Sequence, residues 1–249
     1  MSALRDQVAL VTGSSRGIGA AIAKLYAQHR AKVVVHGRDG AALSSIRREI
    51  ELAGGCAMQV SGDVTSFTDV EAARLRIEGE FGPVDILVAN AGGSFTPPGP
   101  LEDTSEEGWR ASVDGNLTAT FLTIKSFLPG MKERRRGSII TISSAAGRRP
   151  HPRSPIPYSV AKAGIELMSQ DVAAQAGPYG IRVNCIAPET ILTERNLERI
   201  PKSNLHRWWM LTHSSVWALL QMSHKRQFFS RHVKRAGSPA WCWTLRAER

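Results

Sequence analysis

Residues 8–19, Val-Ala-Leu-Val-Thr-Gly-Ser-Ser-Arg-Gly-Ile-Gly, constrain the fold more than any other stretch of the chain. An apolar run, Val8 to Val11, feeds a glycine-rich turn, and a helical spacing of apolar residues (Ala20, Ile22, Ala23, Tyr26) follows. Strand, turn and helix in that order open a dinucleotide-binding βαβ unit. Gly13 permits the sharp turn, Gly17 lets backbone approach a pyrophosphate, and Gly19 packs helix close to strand. The phosphates would rest on the free N–H groups of the helix N-terminus, where the dipole favours negative charge. A glycine cluster alone is also compatible with a tight turn that binds nothing. The rest of the chain has to decide.

Strand and helix patterns alternate with short breaks. Strands are expected at Lys32–His36, Met58–Ser61, Asp85–Ala89, Ser138–Ile142 and Ile181–Ile186. Helices are expected from about Gly40 to Leu52, from a capping box at Thr68-x-x-Glu71, through Trp109 and Phe121 to a break at Pro129-Gly130, and from Tyr158 to Ala176. Alternation of this kind implies an α/β fold, a doubly wound parallel sheet in one domain with helices on both faces.

The net charge of +10 suggests a nucleic-acid partner until it is located. Residues 202–249 hold nine Lys/Arg against one acid, Glu248, and five of the six tryptophans. The body is nearly neutral, so the basicity belongs to the tail. No nucleic-acid or membrane partner is expected: the tail's apolar spacing is only loosely helical, and no apolar run approaches spanning length. Three cysteines without metal-type or CxxC spacing read as reduced thiols in a cytoplasmic protein with no metal site.

Two local patterns carry chemistry. Tyr158 and Lys162 lie four apart on a helix, which puts phenol and ammonium on one face. A phenol is a poor acid–base catalyst at neutral pH unless a nearby cation stabilises its phenolate, and Lys162 is placed for that. Ser143-Ser144 ends a strand at the carboxyl edge, where such sheets bind ligands. A hydroxyl there can donate to a carbonyl oxygen. Asn116 sits inside a helix, where asparagine is mildly unfavourable.

Together these residues resemble the classical short-chain dehydrogenase/reductase family over roughly residues 5–200. The motifs are Thr12-Gly13-x-x-x-Gly17-x-Gly19, Asp63-Val64, Asn90-Ala91-Gly92, Asn116, Ser144, Tyr158-x-x-x-Lys162 and Arg182-Val183-Asn184 before Pro188. The nearest neighbourhood is that of 3-oxoacyl-[acyl-carrier-protein] reductases. The resemblance implies a catalytic set of Asn116, Ser144, Tyr158 and Lys162. Tyr158 would be general acid/base, Lys162 its pKa modulator and a ribose ligand, Ser144 the carbonyl hydrogen-bonder, and Asn116 the anchor of a proton-relay water. It also implies a cofactor track over Gly13, Ser15, Arg16, Gly17, Ile18, Gly19, Arg38, Asp63, Val64, Asn90, Ala91, Gly92, Tyr158, Lys162, Pro188, Ile191 and Thr193. Asp63 and Val64 would flank adenine, Asn90 would line the cleft and Thr193 would meet the carboxamide. Glu189 departs from the glycine usual after Pro188. An NAD enzyme of this fold places an acid at the end of the second strand; here stand Gly37 and then Arg38, with Arg16 as a second cation. NADP(H) is expected, and NAD(H) less so. The expected partner is a small carbonyl or alcohol substrate, with homo-oligomerisation usual for the family.

The family's closing helix and seventh strand are missing from residues 202–249. They emerge when the tail is back-translated and read one base earlier. Trp241-Cys242-Trp243-Thr244 then gives Val-Leu-Asp with no codon freedom. The reading within residues 221–249 becomes DVAQAAIFLASREAGWITGVVLDVAGGA, and DAHPLLRLGTPA fits before it. The expectation is a Rossmann short-chain dehydrogenase domain at 1–201, and a frameshifted tail at 202–249 that is largely irregular and supplies no seventh strand. Two activities follow as alternatives. One is an oxidoreductase that transfers hydride between NADP(H) and a carbonyl or secondary alcohol. The other is an inactive frameshifted remnant that keeps a partial cofactor-binding fold.

Overall fold

A computed structural model describes residues 4–150, 154–188 and 240–245. Six strands are parallel: β1 (Val8–Thr12), β2 (Lys32–Gly37), β3 (Cys56–Ser61), β4 (Ile86–Ala89), β5 (Gly137–Ile142) and β6 (Ile181–Pro188). Their order across the sheet is β3-β2-β1-β4-β5-β6, so the direction of winding reverses between β1 and β4. A crevice at such a reversal, beyond the carboxyl ends of the strands, is where these sheets bind ligands.

One face of the sheet buries Val33, Val35, Val88 and Ile140 against α1 (Gly17–Gln28) and α2 (Gly40–Leu52) through Ile22, Tyr26, Leu43 and Ile50. The other face buries Leu10, Val34, Leu87 and Ile139. Its cover is α3 (Phe67–Glu80), α5 (Ala119–Glu133) and α6 (Ile156–Ala176), through Val70, Ile77, Phe127, Met131 and Ala173. Alternate residues of one strand therefore feed two cores. This is why the strands read as nearly unbroken apolar runs.

Three expectations need correction. The cap of α3 is Ser66, whose hydroxyl accepts from the Asp69 N–H, and not Thr68. Serine two residues earlier satisfies an orphan donor just as well. The expected long helix is α4 (Glu106–Val113), a π turn (Asp114–Thr118) and then α5, and Pro129 lies inside α5 rather than ending it. Most consequentially, a seventh strand exists. β7 (Ala240–Leu245) pairs with β6 in antiparallel register, Pro188 opposite Ala240 and Val183 opposite Leu245. The tail is therefore not irregular throughout. Trp, Cys and Thr are good strand formers, and an uncovered β6 is a ready template for any such segment.

Candidate active site

The glycine turn is built by crowding. Gly13 has φ +64°, and a Cβ there would stand 2.8 Å from Ala91 Cα. A Cβ on Gly19 would meet the Gly13 carbonyl oxygen at 2.4 Å. Both positions exclude every other residue. Thr12 holds the facing loop, its hydroxyl accepting from the N–H groups of Asn90 and Ala91, both at 3.1 Å. The Asn90 amide donates to the Thr12 and Gly13 carbonyls. Asn90 thus braces the turn, and Thr12 is a fastening residue the motif contained without a role. Arg16, at the N-cap of α1, is exposed and supplies no side-chain cap, which leaves the first N–H groups of that helix to an anion. Ser15 and Ile18 lie on the same turn, Ile18 packed partly into the core.

At the end of β2 the Asp39 carboxylate caps α2, accepting from the Ala42 N–H at 3.0 Å. A Cβ built on Gly37 would find its nearest atom 3.7 Å away. There is room beside β2, and the atoms nearest that Cβ belong to Leu43 and Ser15. Arg38 is exposed, with Asp63 at 3.9 Å. Asp63 accepts from the backbone and hydroxyl of Thr65, which hold its carboxyl below the usual range, with Arg38 adding a smaller pull. Val64 packs against the α3 side. Behind them His36 is buried, and desolvation takes its pKa down to about 4 against the opposing pull of Asp63 and Asp69.

Ser144, Tyr158 and Lys162 meet at the carboxyl end of β5, and Asn116 stands apart from them beside the loop that follows β4. Ser144 follows β5 and opens a short turn, Ala145–Gly147. Tyr158 lies in the first turn of α6, near enough for the Ser144 side chain to pull its phenol down. Lys162 is 4% exposed, with Nζ 2.8 Å from the Ile142 carbonyl and 5.6 Å from the Tyr158 ring centre. Burial lowers its ammonium to about 8. The phenol feels two opposed influences from its own surroundings. Burial raises Tyr158, and only the Ser144 contact offsets this. The ammonium donates to the Ile142 carbonyl and sits on the same side of α6 as the Tyr158 ring.

Asn116 lies in the π turn, fully buried. Its amide donates to the Gly93 and Ser112 carbonyls and its oxygen accepts from the Gly93 N–H. Its own carbonyl receives the Thr120 hydroxyl. The side chain pins the turn at Gly92, whose φ of +150° suits glycine, and so shapes the floor of the cleft. π turns of this sort recur at functional sites. Pro188 ends β6; Ile191 and Thr193, and Glu189 with them, lie outside the described residues. Sequence reading passed over Arg148 and Glu166, which form an ion pair beside Ser143. The signal was an acid one helical turn beyond Lys162, on a face that enters the core.

Among the described residues no cluster of three His, Cys, Asp or Glu is placed for a metal, and no helix is long and apolar enough to cross a membrane.

The family model described as short chain dehydrogenase matches residues 7–204. Glucose 1-dehydrogenase 2 of Bacillus subtilis is 36% identical over 197 residues, 78% of this chain and 76% of that protein. A 3-oxoacyl-[acyl-carrier protein] reductase from Brucella melitensis, solved with bound NAD, superposes with TM-score 0.79 at 31% identity, over 90% of this chain and 87% of that one. A metagenomic short-chain oxidoreductase in complex with NADP gives 0.71 at 37% identity, over 75% and 84%.

Proposed function

The chain belongs to the short chain dehydrogenase family, and from that premise we propose that it interconverts a small carbonyl compound and its secondary alcohol, with NADP(H) preferred over NAD(H). One observation carries the preference. Asp39 spends its carboxylate on the cap of α2, so no acid awaits a ribose 2′-hydroxyl, while Arg38 and Arg16 stand exposed nearby. Guanidinium groups suit a 2′-phosphate. A bound dinucleotide supplies or accepts the hydride. The protein's part is positional and acid–base. Ser144 donates to the carbonyl oxygen, and Tyr158 gives that oxygen its proton or removes it in the reverse direction. Lys162 holds the end of β5 and presents positive charge at the cleft. Gly13, Gly17 and Gly19 bring backbone N–H groups to the pyrophosphate, and Asp63, Val64, Asn90 and Pro188 line the track, with Ile191 and Thr193 assigned to its far end. Fluorescence titration tests the assignment: NADPH binds at least about tenfold more tightly than NADH, and Gly37→Asp narrows or reverses the ratio. Equal affinities in the parent chain overturn it.

A second reading concerns the tail. The family match stops at residue 204, and the only antiparallel strand of the described sheet comes from beyond it. Asn184 of β6 is 1% exposed, yet neither Oδ1 nor Nδ2 of its side chain has a hydrogen-bond partner among the described residues. These points support the boundary at 1–201 and 202–249, and a frameshift at the junction. On this reading the frame-restored polypeptide is the cytoplasmic, self-associating enzyme, and the chain as written is a remnant that keeps part of the cofactor site. An apolar groove of 540 Å³ along α5 and α6, lined by Phe121, Leu167 and Met168, is a suitable surface for self-association. Expressing both forms side by side tests this. NADPH-dependent turnover and oligomer formation belong to the restored form, and equal turnover in both removes the reading.

A further inference from the structure

Ser144 can serve a carbonyl only if the turn carrying it stays in register with α6, and the structure contains a device for that. Arg148 stands at the end of the Ala145–Gly147 turn, and its Nε lies 3.1 Å from Glu166 Oε2 in α6. Both side chains are nearly enclosed, 17% and 12% exposed. The single hydroxyl proton of Ser143 faces two acceptors, Glu166 Oε1 at 3.0 Å and the Lys162 carbonyl at 2.9 Å, and is shared between them. The pair therefore ties three points together: the turn after Ser144, the residue before it, and the backbone of Lys162. The backbones already touch. A Cβ on Gly147 would come within 2.7 Å of the Ala163 nitrogen, so the turn has no slack toward the helix. Movement away from the helix is what the ion pair resists.

We propose that Arg148 and Glu166, joined through Ser143, are positioning residues that clamp the Ser144 turn to the Lys162 turn of α6 and thereby hold the Ser144 hydroxyl on the Tyr158 phenol. The proposal rests on the roles given to Ser144 and Tyr158 above. A charge pair suits the task because it is directional, and because its enclosure makes the geometry costly to break. Burial raises the Glu166 carboxyl while Arg148 and Ser143 hold it down, so the ionised form depends on the clamp being closed.

The test reads the phenol itself. In the full chain, Tyr158 is titrated by ultraviolet difference absorbance, with Tyr158→Phe as the blank for the other two tyrosines. Opening the clamp removes the one contact that offsets burial, so Arg148→Met and Glu166→Gln each move the Tyr158 titration upward by about one pH unit. The charge-swapped double variant, Arg148→Glu with Glu166→Arg, returns it toward the parent value. Ser143→Ala, which leaves both charges in place, moves it in the same direction by less. With an accepted ketone, kcat falls about ten- to a hundredfold in the single variants while KM for NADPH holds. A lower melting temperature with an unmoved Tyr158 titration makes the pair merely structural and overturns the proposal. So does an upward shift that the charge swap fails to reverse. Absence of NADPH binding in the parent overturns the cofactor assignment instead, and the phenol titration still decides the clamp.

Discussion

The two edges of the sheet are built on different principles. β3 alternates: Met58 and Val60 are buried, Cys56 and Ser61 are exposed, and the strand needs no neighbour beyond β2. β6 is buried along almost its whole length, and it carries Val183, Cys185, Ile186 and Ala187 at 3% exposure or less. An amphipathic strand can close a sheet, whereas a strand buried on both faces cannot. The tail strand β7 supplies the cover, antiparallel where every other pair is parallel. Each edge also has a buried base beside it. His36 beside β3 is held neutral, and Lys162 beside β6 gives up its charge at a lower pH than lysine normally would.

Removing cover should separate the edges most. Deleting residues 240–249 is expected to lower stability by roughly 3–5 kcal/mol, on the order of 10 °C in Tm, because it uncovers β6. A melt unchanged by the deletion would show that β6 needs no partner. Acid is the next probe. The His36 pKa is about 4 in the fold against 6.5 unfolded, so the unfolded chain binds more protons between those values and stability falls as pH drops through that window, by about 3 kcal/mol in total. His36→Gln should flatten the loss in melts taken from pH 7 to pH 4. At the other edge the sign reverses with the charge. Lys162 titrates at about 8 in the fold against 10.5 unfolded, so its penalty is complete below pH 8 and fades as pH rises toward 10.5. Lys162→Met should stabilise the fold by about 1–3 kcal/mol at pH 7 while weakening NADPH binding, and the gain should vanish in alkali. A matched cysteine pair gives the smallest contrast. Cys185→Ala in β6 is expected to cost about 1 kcal/mol and Cys56→Ala in β3 under about 0.5, as compared by denaturant midpoints.

Much of this was legible in the sequence because single residue types were forced. Gly13 and Gly19 admit no Cβ, and Tyr158 with Lys162 fits only a helix face. The alternation of strand and helix needed only periodicity. What escaped depended on contacts between distant segments. The π turn at Asn116 has no compositional mark, since it exists to aim one amide at Gly93 across the cleft. Arg148 and Glu166 look like solvated charges until the turn folds onto α6. The role of Asp39 turned on whether its carboxylate faced a ligand or its own helix, which spacing could not choose. The direction of β7 was beyond reach for a different reason. Pairing direction is set by where the preceding chain returns, not by the strand's own residues.

That direction has a topological consequence. Pro188 and Ala240 are opposite one another in the register, so β6 ends where β7 begins, and the two are adjacent antiparallel strands. Entropy of closure grows only with the logarithm of loop length, so the closure cost of joining these two ends falls only modestly when the connection is shortened. A two-residue Asn-Gly turn in its place would give a miniature with all seven strands in their present order. Such a miniature would lack Ile191 and Thr193, so its affinity for NADPH would report what the rest of the cofactor track contributes without them.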